Sequence, residues 1–182
     1  MKKVAASIHA TCKEKTRSST QERAGYMPVI LYYYMTFHYF AYGMNMSHEH
    51  MKLACSQSRF LGRAFLEGYK MVYDGCSDYM RRRAQANIVD CDGGVVWGGL
   101  YEVEESGLDA LDASESSPRS FDRGKAVVKN DEGKTYDAVI YCREGREPGG
   151  PSTEYRQILI QGAKDCKLPK KYQTQVTYRI SH

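Results

Sequence analysis

From residue 36 onward, short apolar and aromatic runs broken by glycine and asparagine turns dominate the chain, a strand pattern with few helical stretches. His38, Tyr39, Phe40, Ala41 and Tyr42 form an aromatic run suited to a buried strand, and it stops at Gly43. Gly43 is expected to let the backbone turn where a side chain would clash, and Asn45 and Ser47 are expected to cap a short helix running to Cys55. Leu61 to Tyr73 reads as one long strand bent at Gly68 and ended by Asp74 and Gly75. Ala86 to Asp90 is another strand, and Asp92, Gly93 and Gly94 predict a hairpin turn into Val95 to Val103. Ser106 to Asp112 predicts a short helix with Leu108 and Leu111 on one face, leading directly to Glu115.

Gly124 to Val128 and Thr135 to Cys142 read as a second hairpin, joined through Asn130 to Gly133. Ser152 is the expected N-cap of the clearest helix, in which Tyr155, Ile158, Leu159 and Gly162 share a face. Leu168 and Pro169 stop that helix, and Gln175 to Ile180 is expected to return as a last strand. About six strands with few helices and no regular alternation exclude a doubly wound sheet. They predict an α+β domain with a curved sheet or small barrel.

Composition narrows the function classes. A chain of 182 residues with 42% hydrophobic content can build one well-cored domain. The net charge of +4 is spread among interspersed acids and bases, except at Arg81 to Arg83, which reads as a solvated turn rather than a nucleic-acid patch. Residues 1–34 read as a disordered basic leader, with some compositional likeness to a transit peptide, and 35–182 as the folded domain. No run has the length of a membrane span. The six cysteines show no paired spacing, and we expect reduced thiols in a cytoplasmic protein. His48, Glu49 and His50 are read as surface residues of a helix, since neighbouring helical positions point apart and cannot share a metal.

A strand that ends at a glycine and opens into a helix leaves backbone amides unpaired, a feature that attracts carboxylates and oxyanions. By itself Gly43 reads as an ordinary connection, and Glu115 as a solvated residue after a helix. Their sequence context is more specific. Tyr39 to Met46 (YFAYGMNM), Leu61 to Tyr73, Ala86 to Val89, Val95 to Val103 with its VWG core, the LDALDASES run ending beside Glu115, Ala138 to Cys142 and Pro151 to Pro169 resemble, in order, the gamma-glutamylcyclotransferase family.

That resemblance covers Tyr39 to Pro169 and implies a small mixed β-barrel flanked by short helices. It implies an enzyme that closes a gamma-glutamyl group into 5-oxoproline and releases the attached amine. Glu115 matches the catalytic acid and base, Tyr39, Phe40, Ala41, Tyr42, Gly43, Met44 and Asn45 match the substrate-binding loop, and Tyr141 matches a cavity tyrosine. Met44 and Ser116 stand where the family commonly carries serine and glycine. No metal or organic cofactor is implied. The implied partner is a small gamma-glutamyl molecule, with no nucleic acid or membrane, acting on a monomer or homodimer. The alternative from another class is a silent relative that binds gamma-glutamyl or other acidic small molecules without turnover.

Overall fold

The computed structural model describes residues 35–75, 84–115, 121–145 and 147–181, the last five by backbone alone. The expected leader, the arginine triplet, Ser116, Cys12 and Cys76 lie outside the described residues. Five strands, β1 (Thr36–Ala41), β2 (Arg59–Asp74), β3 (Gln85–Glu104), β4 (Asp122–Asn130) and β5 (Thr135–Cys142), close into a barrel in the order β1-β3-β2-β4-β5. All neighbours are antiparallel except β5 and β1, whose parallel pairing at His38↔Ala138 and Tyr39↔Val139 completes the ring. Closure leaves no free sheet edge. Around the barrel lie a 3-10 turn (Met44–Met46) and helices α1 (His48–Ala54), α2 (Glu105–Ser114), α3 (Thr153–Asp165) and α4 (Lys170–Ser181).

The bend expected at Gly68 is present, and its effect is visible in which side chains are buried. Before it Ala64 and Leu66 face the core; after it Tyr69 and Met71 do, so the even-numbered face has given way to the odd-numbered one. Gly68 has φ +84, and the irregularity there shifts the pairing with β3 by an odd number of residues, three, which in a strand exchanges the two faces.

The partner strand overturns the hairpin expected at Asp92 to Gly94. Residues 86–90 and 95–103 do not pair with each other; both lie along β2, with Tyr69 opposite Asp90 and Glu67 opposite Val95. Gly68 alone therefore faces Cys91 to Gly94, a wide bulge within one continuous strand. Gly93 takes φ +70, and a Cβ on Gly94 would stand 2.5 Å from the Tyr69 carbonyl oxygen. Glycines that permit a tight turn also permit this bulge, and only the partner strand distinguishes the two.

The last strand expected at Gln175 to Ile180 is also corrected, because that segment belongs to α4. The Pro169 carbonyl accepts the N–H groups of Tyr172 and Gln173 and starts the helix. Val176 packs into the core, 1% exposed, with Tyr172 one turn earlier against it. A closed ring offers no edge for a sixth strand.

Two glycines bring the site-bearing segment into place. A Cβ on Gly98 would collide with the Ala41 carbonyl, so β3 approaches the end of β1 closely. In α3, a Cβ on Gly162 would stand 2.6 Å from the Ser47 nitrogen and 2.7 Å from the Met46 Cβ. The helix thus lies directly on the turn that follows Gly43.

Candidate active site

The end of β1, the 3-10 turn, the start of β3, the end of α2 and the first turn of α3 surround a small pocket. Tyr39, Phe40, Tyr42, Gly43, Met44, Asn45, Glu115 and Tyr141 line it, together with Gln85, Ala86, Phe121 and Tyr155. Of the loop named from the sequence, Ala41 is buried outside this lining, against Gly98. Sequence reasoning did not single out Tyr155 as a site residue, although it closes the Pro151-Ser152-Thr153-Glu154-Tyr155 motif. Ser152 caps α3 by accepting the Tyr155 N–H at 3.2 Å, which sets that tyrosine in the first helical turn.

Glu115 is the C-cap of α2, its N–H bonded to the Leu111 carbonyl at 2.8 Å. Leu111 is fully buried, so packing of one helical face fixes where the carboxylate emerges. Asn45 is 2% exposed and does not cap a helix, as its spacing suggested. Its Nδ2 instead donates to the Tyr39 hydroxyl at 3.1 Å and to Glu115 Oε1 at 3.0 Å, across 70 residues of sequence. Asn45 Oδ1 is buried with no hydrogen-bond partner among the described residues.

Gly43 has φ −108, and a Cβ there would stand 3.5 Å from the Tyr155 hydroxyl, ordinary contact. The expected clash is absent; the missing side chain keeps the pocket open. Within the turn, the Gly43 and Met44 carbonyls accept the N–H groups of Met46 and Ser47, and the helical pattern leaves the earlier amides as donors.

Four tyrosines frame the carboxylate. Tyr42 donates to the Tyr141 carbonyl at 2.6 Å, and Tyr141 donates to Asp112 Oδ1 at 2.6 Å. Asp112 is held by Arg123 at 2.9 Å, and the Tyr39 and Tyr141 rings meet edge to face with centroids 5.8 Å apart. The Tyr155 oxygen accepts the Ala86 N–H at 3.0 Å, which leaves its own proton for donation. Burial pushes the hydroxyls of Tyr39, Tyr42, Tyr141 and Tyr155 above the ordinary tyrosine value, so they remain protonated donors.

Burial acts on Glu115 in the same direction, penalising its charged form, and Arg143 opposes it; the carboxyl is pushed up from 4.5 to about 7. A carboxyl of that affinity can both take and return a proton near neutrality. The histidines behave differently from the surface residues expected. His48 is half-buried, with its ring 4.7 Å from that of Phe60 and its N–H bonded to Asp165 at 3.1 Å. No group of three or more His, Cys, Asp or Glu side chains is gathered for a metal among the described residues. Cys55, Cys142 and Cys166 are buried and Cys91 half-buried, and none of the four is in a disulfide. No described helix is long and apolar enough to cross a membrane.

A closed mixed barrel with one buried carboxyl beside a tyrosine-lined pocket is an arrangement able to take up a small molecule and exchange a proton with it. Comparison with known proteins makes this class specific. The family model described as gamma-glutamyl cyclotransferase, AIG2-like, matches residues 39–158. The gamma-glutamylcyclotransferases of Mus musculus and Homo sapiens are each 30% identical over 142 residues, covering 76% of this chain and 76% of theirs. A solved structure of a gamma-glutamyl cyclotransferase superposes with a TM-score of 0.73 at 27% identity, covering 78% of this chain and 86% of that one. The chain belongs to the gamma-glutamyl cyclotransferase family, a family of enzymes.

Proposed function

We propose that this chain converts the gamma-glutamyl group of a small amide, peptide or amine conjugate into 5-oxoproline, with Glu115 as the general acid and base. The observation that carries this reading is a single carboxyl, bonded to Asn45 and pushed up to about 7, in the wall of the pocket formed by the Tyr39 to Asn45 segment.

The substrate supplies its own nucleophile. Its α-ammonium loses a proton to Glu115, and the free amine attacks the γ-carbonyl to form the five-membered ring. The C–N bond to the leaving amine then breaks as Glu115 returns that proton to its nitrogen, and the ring nitrogen, which still carries two protons after attack, passes one through Glu115 to the departing amine, which leaves as the ammonium. Asn45 occupies Oε1, so the exchange falls to the other carboxylate oxygen. The orphaned Asn45 Oδ1 is an acceptor suited to the attacking amine's remaining N–H. Amides of Gly43 to Asn45 and the Tyr155 hydroxyl are the donors available to the substrate carboxylate and the developing oxyanion. Because ring closure is intramolecular, holding the glutamyl chain folded supplies a large part of the acceleration.

Glu115→Gln tests the assignment. It keeps the shape and an acceptor for Asn45 while removing the base, so 5-oxoproline release should fall at least about a hundredfold with the fold intact. Near-normal release from a panel of gamma-glutamyl compounds, read by mass spectrometry, would refute it. Binding of a gamma-glutamyl dipeptide by the wild type without any product would favour the silent-binder alternative.

A further inference from the structure

Behind the pocket lies a charged pair that the proton-transfer scheme leaves unused. Asp74 and Arg143 are 2% and 5% exposed. Arg143 Nε and Nη2 donate to Asp74 Oδ1 at 2.9 and 2.7 Å, and Nη2 also donates to the Asp74 carbonyl at 2.8 Å. Asn87, fully buried, donates from Nδ2 to Asp74 Oδ2 at 2.8 Å, and its side-chain amide also grips the Arg143 backbone, Nδ2 donating to the carbonyl and Oδ1 accepting the N–H, each at 3.2 Å. The chain is shaped around the guanidinium. Gly75 takes φ +85, and a Cβ there would stand 2.7 Å from the Arg143 Cζ.

A buried pair of this kind loses two hydration shells, and well-packed apolar residues commonly serve stability as well or better. Its other contacts point to the pocket. Arg143 Nη1 donates to Gln85 Oε1 at 3.3 Å, and its Cζ lies 4.2 Å from the Phe121 ring centroid. Gln85 and Phe121 are both pocket wall, and the next residue, Ala86, holds the Tyr155 oxygen.

We infer that Arg143 is a positioning residue for the cyclisation: it fixes the Gln85 and Phe121 side of the pocket and sets a buried positive charge behind Glu115. This rests on reading Glu115 as the proton-transfer group. Among the described residues, the groups facing Glu115 are Tyr39 from β1, Tyr42 just after it, Asn45 from the turn, Tyr141 from β5 and Tyr155 from α3. The tyrosines stay neutral, and the Asp112–Arg123 pair behind Tyr141 is internally compensated. Arg143 is the charged group whose field favours the ionised form of Glu115.

The test uses Arg143→Met, Arg143→Lys and the double variant Asp74→Leu with Arg143→Met, which removes both charges and guards against a stranded Asp74. 5-oxoproline release from a gamma-glutamyl dipeptide is followed from pH 5.5 to 9. Arg143→Met should carry the acidic limb of kcat/KM to higher pH, lowering the rate at pH 6 by roughly threefold or more relative to the plateau, and should raise KM. Arg143→Lys keeps the charge, so its limb stays while KM rises with loss of the fork to Gln85. The double variant should keep its thermal stability and still show the raised KM. Wild-type limb and wild-type KM in Arg143→Met and in the double variant, with a change in thermal stability alone, would overturn the inference. If Arg143→Met does not fold, the KM of the double variant decides. Wild-type turnover by Glu115→Gln sinks the reading of Glu115 instead, and a KM change at Arg143 would survive it.

Discussion

Replacing Glu115 by glutamine should stabilise the protein at alkaline pH, and by an amount that depends on pH in a defined direction. In the unfolded chain this carboxyl titrates near 4.5; in the fold, burial outweighs the pull of Arg143 and it titrates near 7. Its folded value is raised, so folding favours the protonated form. The stabilisation this gives is fully present below 4.5 and is lost as pH rises through 7. At about 1.4 kcal/mol per pH unit, the gap corresponds to roughly 3 kcal/mol. Glutamine does not titrate and keeps an oxygen for the Asn45 N–H, while every other group titrates alike in both proteins and cancels in the difference. Urea unfolding of the two proteins at pH 5, 6, 7 and 8 and constant ionic strength measures that difference. The two should be close at pH 5, and the variant should be more stable by about 3 kcal/mol at pH 8, with the slope against urea unchanged. A difference that does not vary with pH would refute the desolvation argument. A difference of opposite sign would mean that Arg143 outweighs burial.

The same carboxyl should set the acidic limb of the activity profile: as the base it must be ionised in the free enzyme, so kcat/KM should rise with pH and level off above a midpoint near 7, measured with a fixed gamma-glutamyl dipeptide. Tyr155→Phe keeps the ring and removes the hydroxyl proton, and should lower kcat by roughly tenfold to a hundredfold with an unchanged circular dichroism spectrum. Gly162→Ala forces a Cβ against the Ser47 nitrogen and the Met46 Cβ, and thermal unfolding should show a loss of about 2 kcal/mol together with reduced activity, because the turn that carries Asn45 must shift.

Local pattern was enough for much of this molecule. The aromatic run ending at Gly43, the two-part strand bent at Gly68, the Leu108 and Leu111 helix face and the Ser152 cap all form where their residues predict, because each depends on spacing and on bonds to near neighbours. Linear order likewise marked Glu115 and the Tyr39 to Asn45 segment as one motif set.

What local pattern could not determine depends on partners distant in sequence. Asp92 to Gly94 carries a turn composition that serves a hairpin and a bulge equally well, and β2 running past both halves decides for the bulge. Residues 175–180 suit either period, and the closed barrel leaves them only the helix. The acid–base character of Glu115 is likewise invisible in its neighbours Ser114 and Ser116. It arises from burial among residues 39 to 155, opposed by the charge of Arg143, while an asparagine 70 positions away holds one carboxylate oxygen, and electrostatic shifts of this kind exist only once folding has excluded water from around the carboxyl.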